Sequence, residues 1–322
     1  MSAAGMCCVF LLVFCSGCVE NEIVESTSIH VGCSGGFDFT SIQEAINASG
    51  EGYTIRVHEG IYHEAITINK SINLVGVSAE TTSIVNDNSS CFVTVSIQAD
   101  SCTFTGFTVK GFDTSHDMIG IAINSSHTLI SDAVVMNAEK GIALERYVQN
   151  TIISDNDFID NTYGIAVERS EFNSITNNRI SLTESFSALQ TYGIYLHLSD
   201  NTLISRNNIS GYYRGIRIKG SDNSHVFDNI LMSNDLGVWC CCGAGNNMIY
   251  HNCFINNELH ARDDIVNNWD NGTVGNFWDD YQQKHPDARS EEGIWLESYS
   301  IFNYDDSYAK YDNFPLVDPI YL

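Results

Sequence analysis

Glu145, Glu168, His197 and Lys219 stand four residues after Gly141, Gly164, Gly193 and Gly215, and Cys241 holds the same place after Gly237. Two carboxylates at one repeat spacing are what glycoside hydrolysis requires, one to protonate the leaving oxygen and one to attack or to activate water. An imidazole or amine in the same row would instead supply the base of a uronate lyase. Two residues after the same glycines come Ala143, Ala166, Tyr195, Arg217 and Trp239. Tyr and Trp have apolar faces with polar edges, suited to stacking on sugar rings, and Arg217, His197 and Lys219 suit acidic sugars. The row could therefore bind carbohydrate through Tyr195, Arg217, Trp239, His197 and Lys219, or cleave it through Glu145, Glu168, His197 and Lys219. A solvent-facing sheet with ordinary cross-strand pairs would use the same residue types.

Two further groups have ligand chemistry. Cys241, Cys242, His251 and Cys253, with Met232 and Met248 nearby, offer soft donors for Cu(I). The repeat turns the adjoining Cys240 inward, in the place Ile218 holds one coil earlier. Asp155, Asp157 and Asp160 offer oxygen ligands for Ca2+. They belong to a column just ahead of the repeat asparagines (Asp132, Asp155, Asn177, Arg206, Asp228, His251), and such residues also serve as plain turn formers.

These side chains become neighbours only if the chain repeats. Asn156, Asn178, Asn207, Asn229 and Asn252 recur at spacings of 22, 29, 22 and 23, and the glycines from Gly141 at 23, 29, 22 and 22. Two ladders with one period describe stacked coils. Each coil reads Ile-x-x-Asn-x-Ile and then Gly-Ile-x-Leu, too short and β-branched for helices. The predicted fold is all-β: a single-stranded right-handed parallel β-helix with aliphatic columns such as Ile153, Ile175, Ile204, Val226 and Ile249 inside. The asparagines stack at corners, as amide ladders do. The one long step predicts a bulge at Ser181–Thr191. A short capping helix is predicted at Thr40–Ile46, behind a Ser/Thr start signal. Trp269, Trp278, Trp295 and the aromatic tail form the C-terminal cap. The segments are 1–18 for export, 19–36 as linker, 37–262 as β-helix, and 263–322 as last coil and cap.

A net charge of −25 excludes general affinity for nucleic acid. Met6–Phe14 is an apolar run of signal-peptide length, followed by Cys15-Ser16-Gly17-Cys18, so export with lipid attachment at Cys18 is expected, and membrane contact only through that anchor. Seven cysteines remain beyond Cys18, among which Cys91 and Cys102 could pair.

The stretch FTSIQEAINASGEGYTIRVHEGIYHEAITINKSINLVG resembles the opening of pectin-lyase-like β-helix proteins. The coils, with NNWDNGTVGNFWDDY and DNFPLVDP, resemble the NosD-type family, common on archaeal cell surfaces and named for an accessory protein of copper-enzyme maturation. The resemblance covers most of residues 37–322. It implies a carbohydrate-binding or sugar-hydrolase fold and leaves copper handling as a further alternative. Relatives carry an acidic, glycine-rich calcium loop after DDY; here QQKHPDARSEEGIWLESYSI replaces it, so that loop does not carry over. The expectation is an exported, surface-displayed carbohydrate binder without catalysis, with a polysaccharide lyase or hydrolase and a copper-handling protein as alternatives.

Overall fold

The computed structural model describes residues 27–88, 90–111, 117–183, 190–307 and 309–320. Each coil contributes one short strand to each of three walls, and within every wall the strands pair in parallel. One wall has 11 strands, from Ser28–Val31 to Val266–Asn268; the second has 10, from Gly60–Tyr62 to Phe277–Trp278. The third has 9, from Ile66–Ile68 to Leu259–Asp263. The result is the right-handed parallel β-helix that the ladders predict. The stretch assigned as a linker enters the fold early, because Ser28–Val31 pairs with Thr54–Val57 and starts the first wall. The export segment and Cys18 lie outside the described residues, as does the middle of the Ser181–Thr191 connection. Among the described residues no helix is long and apolar enough to cross a membrane.

The period is enforced from inside. Ile153, Ile175, Ile204, Val226 and Ile249 pair in register and are fully buried. Each such side chain contributes roughly 1.5–3 kcal/mol of burial. The ladder glycines serve close approach, not unusual backbone angles: a methyl on Gly164 would meet the Gly193 carbonyl oxygen at 2.6 Å. The left-handed conformation falls instead on the residues just before the asparagines, Asp132, Asp155, Asn177, Arg206, Asp228 and His251, with φ between 49° and 62°. That column makes the corner between the first and second walls, which explains its Asp and Asn content.

The asparagine ladder is continuous. Asn156, Asn178, Asn207, Asn229 and Asn252 each donate from Nδ2 to the Oδ1 of the next coil's asparagine at 2.9–3.0 Å, ending on Asn276. Beyond Asn276 the acceptor is a carboxylate. Asp312 Oδ2 takes the Asn276 N–H at 2.7 Å and the Trp278 indole N–H at 2.9 Å, and Oδ1 takes the Phe314 N–H at 3.0 Å. A parallel ladder through Asn247 and Asn267 ends the same way on the buried Asp263, which also accepts from the Trp269 indole at 3.0 Å. Burial pushes the Asp312 carboxyl up to about 7, against the pull of the N–H donors of Asn276, Trp278 and Phe314.

The unfolded carboxyl titrates near about 4. Between the two values only the folded chain holds the proton, so the stabilisation from this group, complete at low pH, is lost as pH rises through about 7. Urea unfolding at pH 5 and pH 8 should show about 3 kcal/mol of stability lost at the higher pH that Asp312→Asn does not lose. Equal pH slopes in the two proteins would refute the assignment.

The ends are closed as expected. The helix Ile42–Ala48 starts at Ser41, whose hydroxyl accepts the Glu44 N–H at 3.2 Å. At the other end Trp278 stacks on Phe254 (4.3 Å) and on Tyr299 (4.1 Å), and Tyr281 stacks on Trp295 (4.9 Å). Cys91 and Cys102 form no disulfide; their thiols point to the carbonyls of Val93 and Ala99, and all seven described cysteines are free.

Candidate functional site: an arginine and aromatic strip

The outer face of the third wall carries the strip. Strands Tyr163–Glu168, Tyr192–His197, Arg214–Lys219 and Leu236–Cys241 lie side by side, which places Ala166, Tyr195, Arg217 and Trp239 in one column and Glu168, His197, Lys219 and Cys241 in the next. The register Leu144↔Val167 sets Glu145 beside Glu168. The expected columns therefore exist, but they are not uniform. Ala143 and Ala166 are too short to reach the surface and are buried. Cys241, expected on the outer face, is also buried, with the Arg217 guanidinium 3.7 Å from its sulfur.

A third column, missed when counting only forward from the glycines, completes the site. The strands begin one residue before each glycine, so Tyr163, Tyr192, Arg214 and Leu236 also pair in register. Tyr163 and Tyr192 stack at 5.0 Å, and Tyr195 leans against Tyr192 at 5.2 Å and His197 at 6.0 Å. Arg214 and Arg217 both donate to the Tyr192 hydroxyl, at 3.1 and 3.0 Å. Both guanidiniums also lie over the Trp239 ring, at 4.2 and 4.6 Å from its centre. The signal was present in sequence as the run Tyr163, Tyr192, Arg214 immediately ahead of the glycines.

The electrostatics are unusual for so acidic a chain. With 40 acidic against 15 basic residues, a buried arginine has carboxylates to choose from. Yet among the described residues no carboxylate lies within 4.0 Å of Arg214, Arg217 or Lys219. Arg214 is only 8% exposed, and the Nε atoms of both arginines are buried without a hydrogen-bond partner. A buried charge in this state is unfavourable unless something else neutralises it. Neighbouring groups respond. Burial and the Lys219 ammonium lower the His197 pKa, and burial raises that of the Tyr195 phenol. Glu168 is held in an ion pair by Arg146 at 3.4 Å.

The soft-metal candidates are dispersed. Cys242 lies at the corner after the third wall, with its sulfur 3.1 Å from that of Cys241. His251 lies at the corner between the other two walls, hydrogen-bonded to Asp228 at 2.6 Å. Cys253 is buried in the second wall, beside the backbone of Ile320. Burial pushes the thiols of Cys241 and Cys253 up to about 11, which works against the thiolate that Cu(I) needs. The calcium candidates are likewise engaged: Asp155 accepts from Asn177, Asp157 pairs with Arg179 at 3.3 Å, and Asp160 accepts from Thr183.

Among the described residues one cluster of three potential donors converges, His260, Asp279 and Asp280 in the cap. Within it Asp280 Oδ1 is buried without a hydrogen-bond partner, 3.4 Å from His260 Nε2. His260 Nε2 lies 2.8 Å from Asp279 and Nδ1 lies 3.3 Å from the Asn257 amide. The Lys284 ammonium sits 2.9 Å from Asp280. Burial would raise the Asp280 pKa, but His260 and Lys284 outweigh it and hold the carboxyl well below the usual range. The hard oxygens and the ammonium do not fit Cu(I).

The family model described as periplasmic copper-binding protein (NosD) matches residues 46–283. No functionally curated protein matches the sequence. Among solved structures, the alginate lyase from Paenibacillus sp. str. FPU-7 aligns with a TM-score of 0.54 at 12% identity, covering 78% of this chain and 97% of that one. Pectate lyase Pel9A aligns with a TM-score of 0.50 at 14% identity, covering 74% of each chain. XylC, solved with xylose, aligns with a TM-score of 0.52 at 12% identity, covering 78% of this chain and 68% of that one. Identities this low speak to the fold alone.

Proposed function

Since the chain belongs to the NosD family, whose model matches most of its length, we propose that its working surface is the outer strip, which binds an acidic polysaccharide and does not cleave it. One observation supports this most: Arg214, buried, and Arg217, half-buried, both lie on Trp239 and Tyr192 and have no carboxylate partner among the described residues of a chain rich in carboxylates. A sugar carboxylate would supply the missing charge through paired N–H donors. Tyr195 and Trp239 would take the ring faces, and Lys219 and His197 the neighbouring sugar. Two of the similar structures are titled as lyases of alginate and of pectate. Both polymers are built of uronic acids, the ligand class that the arginines suit. The periplasmic description of the family agrees with an exported binder; display at the cell surface belongs to the proposal alone.

Catalysis is disfavoured by the state of its candidate groups. Glu168, one of the four candidates, is engaged by Arg146 in a 3.4 Å ion pair. One feature favours a lyase, His197 beside Lys219 with its pKa lowered by burial. The two readings separate when the purified chain is incubated with polygalacturonate and with alginate. Saturable binding with no new reducing ends and no unsaturated-uronate absorbance is the expected result. Absorbance that grows with time and disappears in His197→Ala would replace it with the lyase.

A further inference from the structure

The strip does not run on past its last coil. Leu259–Asp263 is the final strand of the third wall, and Tyr299–Phe302 packs against it from the cap. Where the strip meets the cap there is a cavity of about 310 Å³, walled by Arg214, Trp239, Arg262 and Tyr304, with the carboxylates of Asp235 and Glu258 among its lining residues. We propose that this cavity is a chain-end subsite, which holds the terminal uronate of the polymer, so that the protein recognises chain ends and not the middle of a chain. The inference rests on the uronate-binding reading above.

Three observations support it. First, the walls are tied together in advance. Asp264 accepts the Trp239 indole N–H at 2.9 Å with one oxygen and the Tyr304 backbone N–H at 2.8 Å with the other, so a single carboxylate holds both aromatic walls. Walls fixed before the ligand arrives reduce the ordering cost of binding. Second, the cavity presents two guanidiniums beside its two carboxylates. Arg262 occupies the position after Trp239 in the same column, and its guanidinium lies 5.0 Å from the centre of the Tyr304 ring. Among the described residues neither Arg214 nor Arg262 has an ion-pair partner. The column that presents Tyr195 and Arg217 to mid-chain sugars thus ends in another guanidinium.

Third, Asp235 and Glu258 are exposed and line the same cavity. They would repel the carboxylate of a further uronate, yet can accept hydrogen bonds from the hydroxyls of a terminal one. The volume lies at the small end for ligand sites, which suits one or two sugar rings.

Stoichiometry tests the proposal. The full chain is titrated calorimetrically with oligogalacturonates and oligoalginates of defined length, and with long polymers of known mean length. The expected result is one protein bound per sugar chain at every length. Affinity should drop at least tenfold when one end of the oligomer carries a bulky block. Tyr304→Ala, at an exposed position, should weaken oligomer binding about tenfold. Stoichiometry that rises in proportion to polymer length would overturn the chain-end subsite while leaving uronate binding intact. Equal affinity for blocked and free oligomers, or for Tyr304→Ala and the parent chain, would overturn it likewise. Absence of binding to any uronate polymer would overturn the underlying reading as well.

Discussion

Asn207→Ala should lower the unfolding free energy by about 4 kcal/mol, far more than a typical surface change. The side chain is fully buried at the corner and makes five hydrogen bonds. Its Nδ2 donates to the carbonyls of Ile175 (2.9 Å) and Ser205 (3.0 Å) and to Asn229 Oδ1 (3.0 Å). Its Oδ1 accepts the backbone N–H and the side-chain amide of Asn178, both at 3.0 Å. Alanine cannot replace any of these, and the corner has no room for solvent to do so. The Asn178 N–H would be left buried and unpaired, at about 1–3 kcal/mol, and the three bonds that Nδ2 donates would be lost with it. Asn208→Ala, one residue on and outward-facing, should stay within about 0.5 kcal/mol. Urea unfolding followed by circular dichroism measures both. Similar midpoints for the two variants would mean that the ladder is decorative, and that the aliphatic columns alone hold the coils in register.

The second large effect concerns ligand. Replacing Arg214 and Arg217 together by alanine should weaken binding of uronate oligosaccharides at least a hundredfold. Each charge-assisted contact is worth about 1.5–3 kcal/mol, and both act on the same carboxylates. The variant should keep its fold, because it removes two charges that have no carboxylate partner. Replacement by lysine is the sharper comparison. It keeps the charge but loses the flat fork that lies over Trp239 and donates to Tyr192. About tenfold weaker binding is expected from that change alone. Isothermal titration at fixed ionic strength provides the measurement. Unchanged affinity in the lysine variant would reduce the site to a diffuse positive patch.

Much of this architecture was legible in sequence because a solenoid repeats its constraints. Every coil needs a flat amide at one corner and a residue without a side chain where two coils nearly touch, so Asn156–Asn252 and Gly141–Gly237 recur visibly. The same period placed Tyr195, Arg217 and Trp239 in one column. It failed for Tyr192 and Arg214 because alternation was counted only forward from each glycine, while the strands begin one residue earlier.

The acidic column at Asp155 looked like a ligand set because left-handed corners and cation sites favour the same residue types. The cap was the least legible part. Asp312 meets Asn276 across 36 residues, and Tyr304 meets Asp264 across 40, with no repeat to announce either contact. The motifs NNWDNGTVGNFWDDY and DNFPLVDP nevertheless acquire a physical meaning. Gly275 leaves space for the Asp312 carboxylate, which a methyl group would strike, and that carboxylate ends the ladder on Asn276 and Trp278.

The most direct test of the binding site compares one oligogalacturonate before and after chemical reduction of its carboxylates to alcohols. Ring shape, length and hydroxyls are then almost unchanged, and only the charge that Arg214 and Arg217 lack is removed. Binding should be tight for the acid and at least a hundredfold weaker for the reduced form. Equal affinity for the two would contradict an arginine pair that waits for a sugar carboxylate.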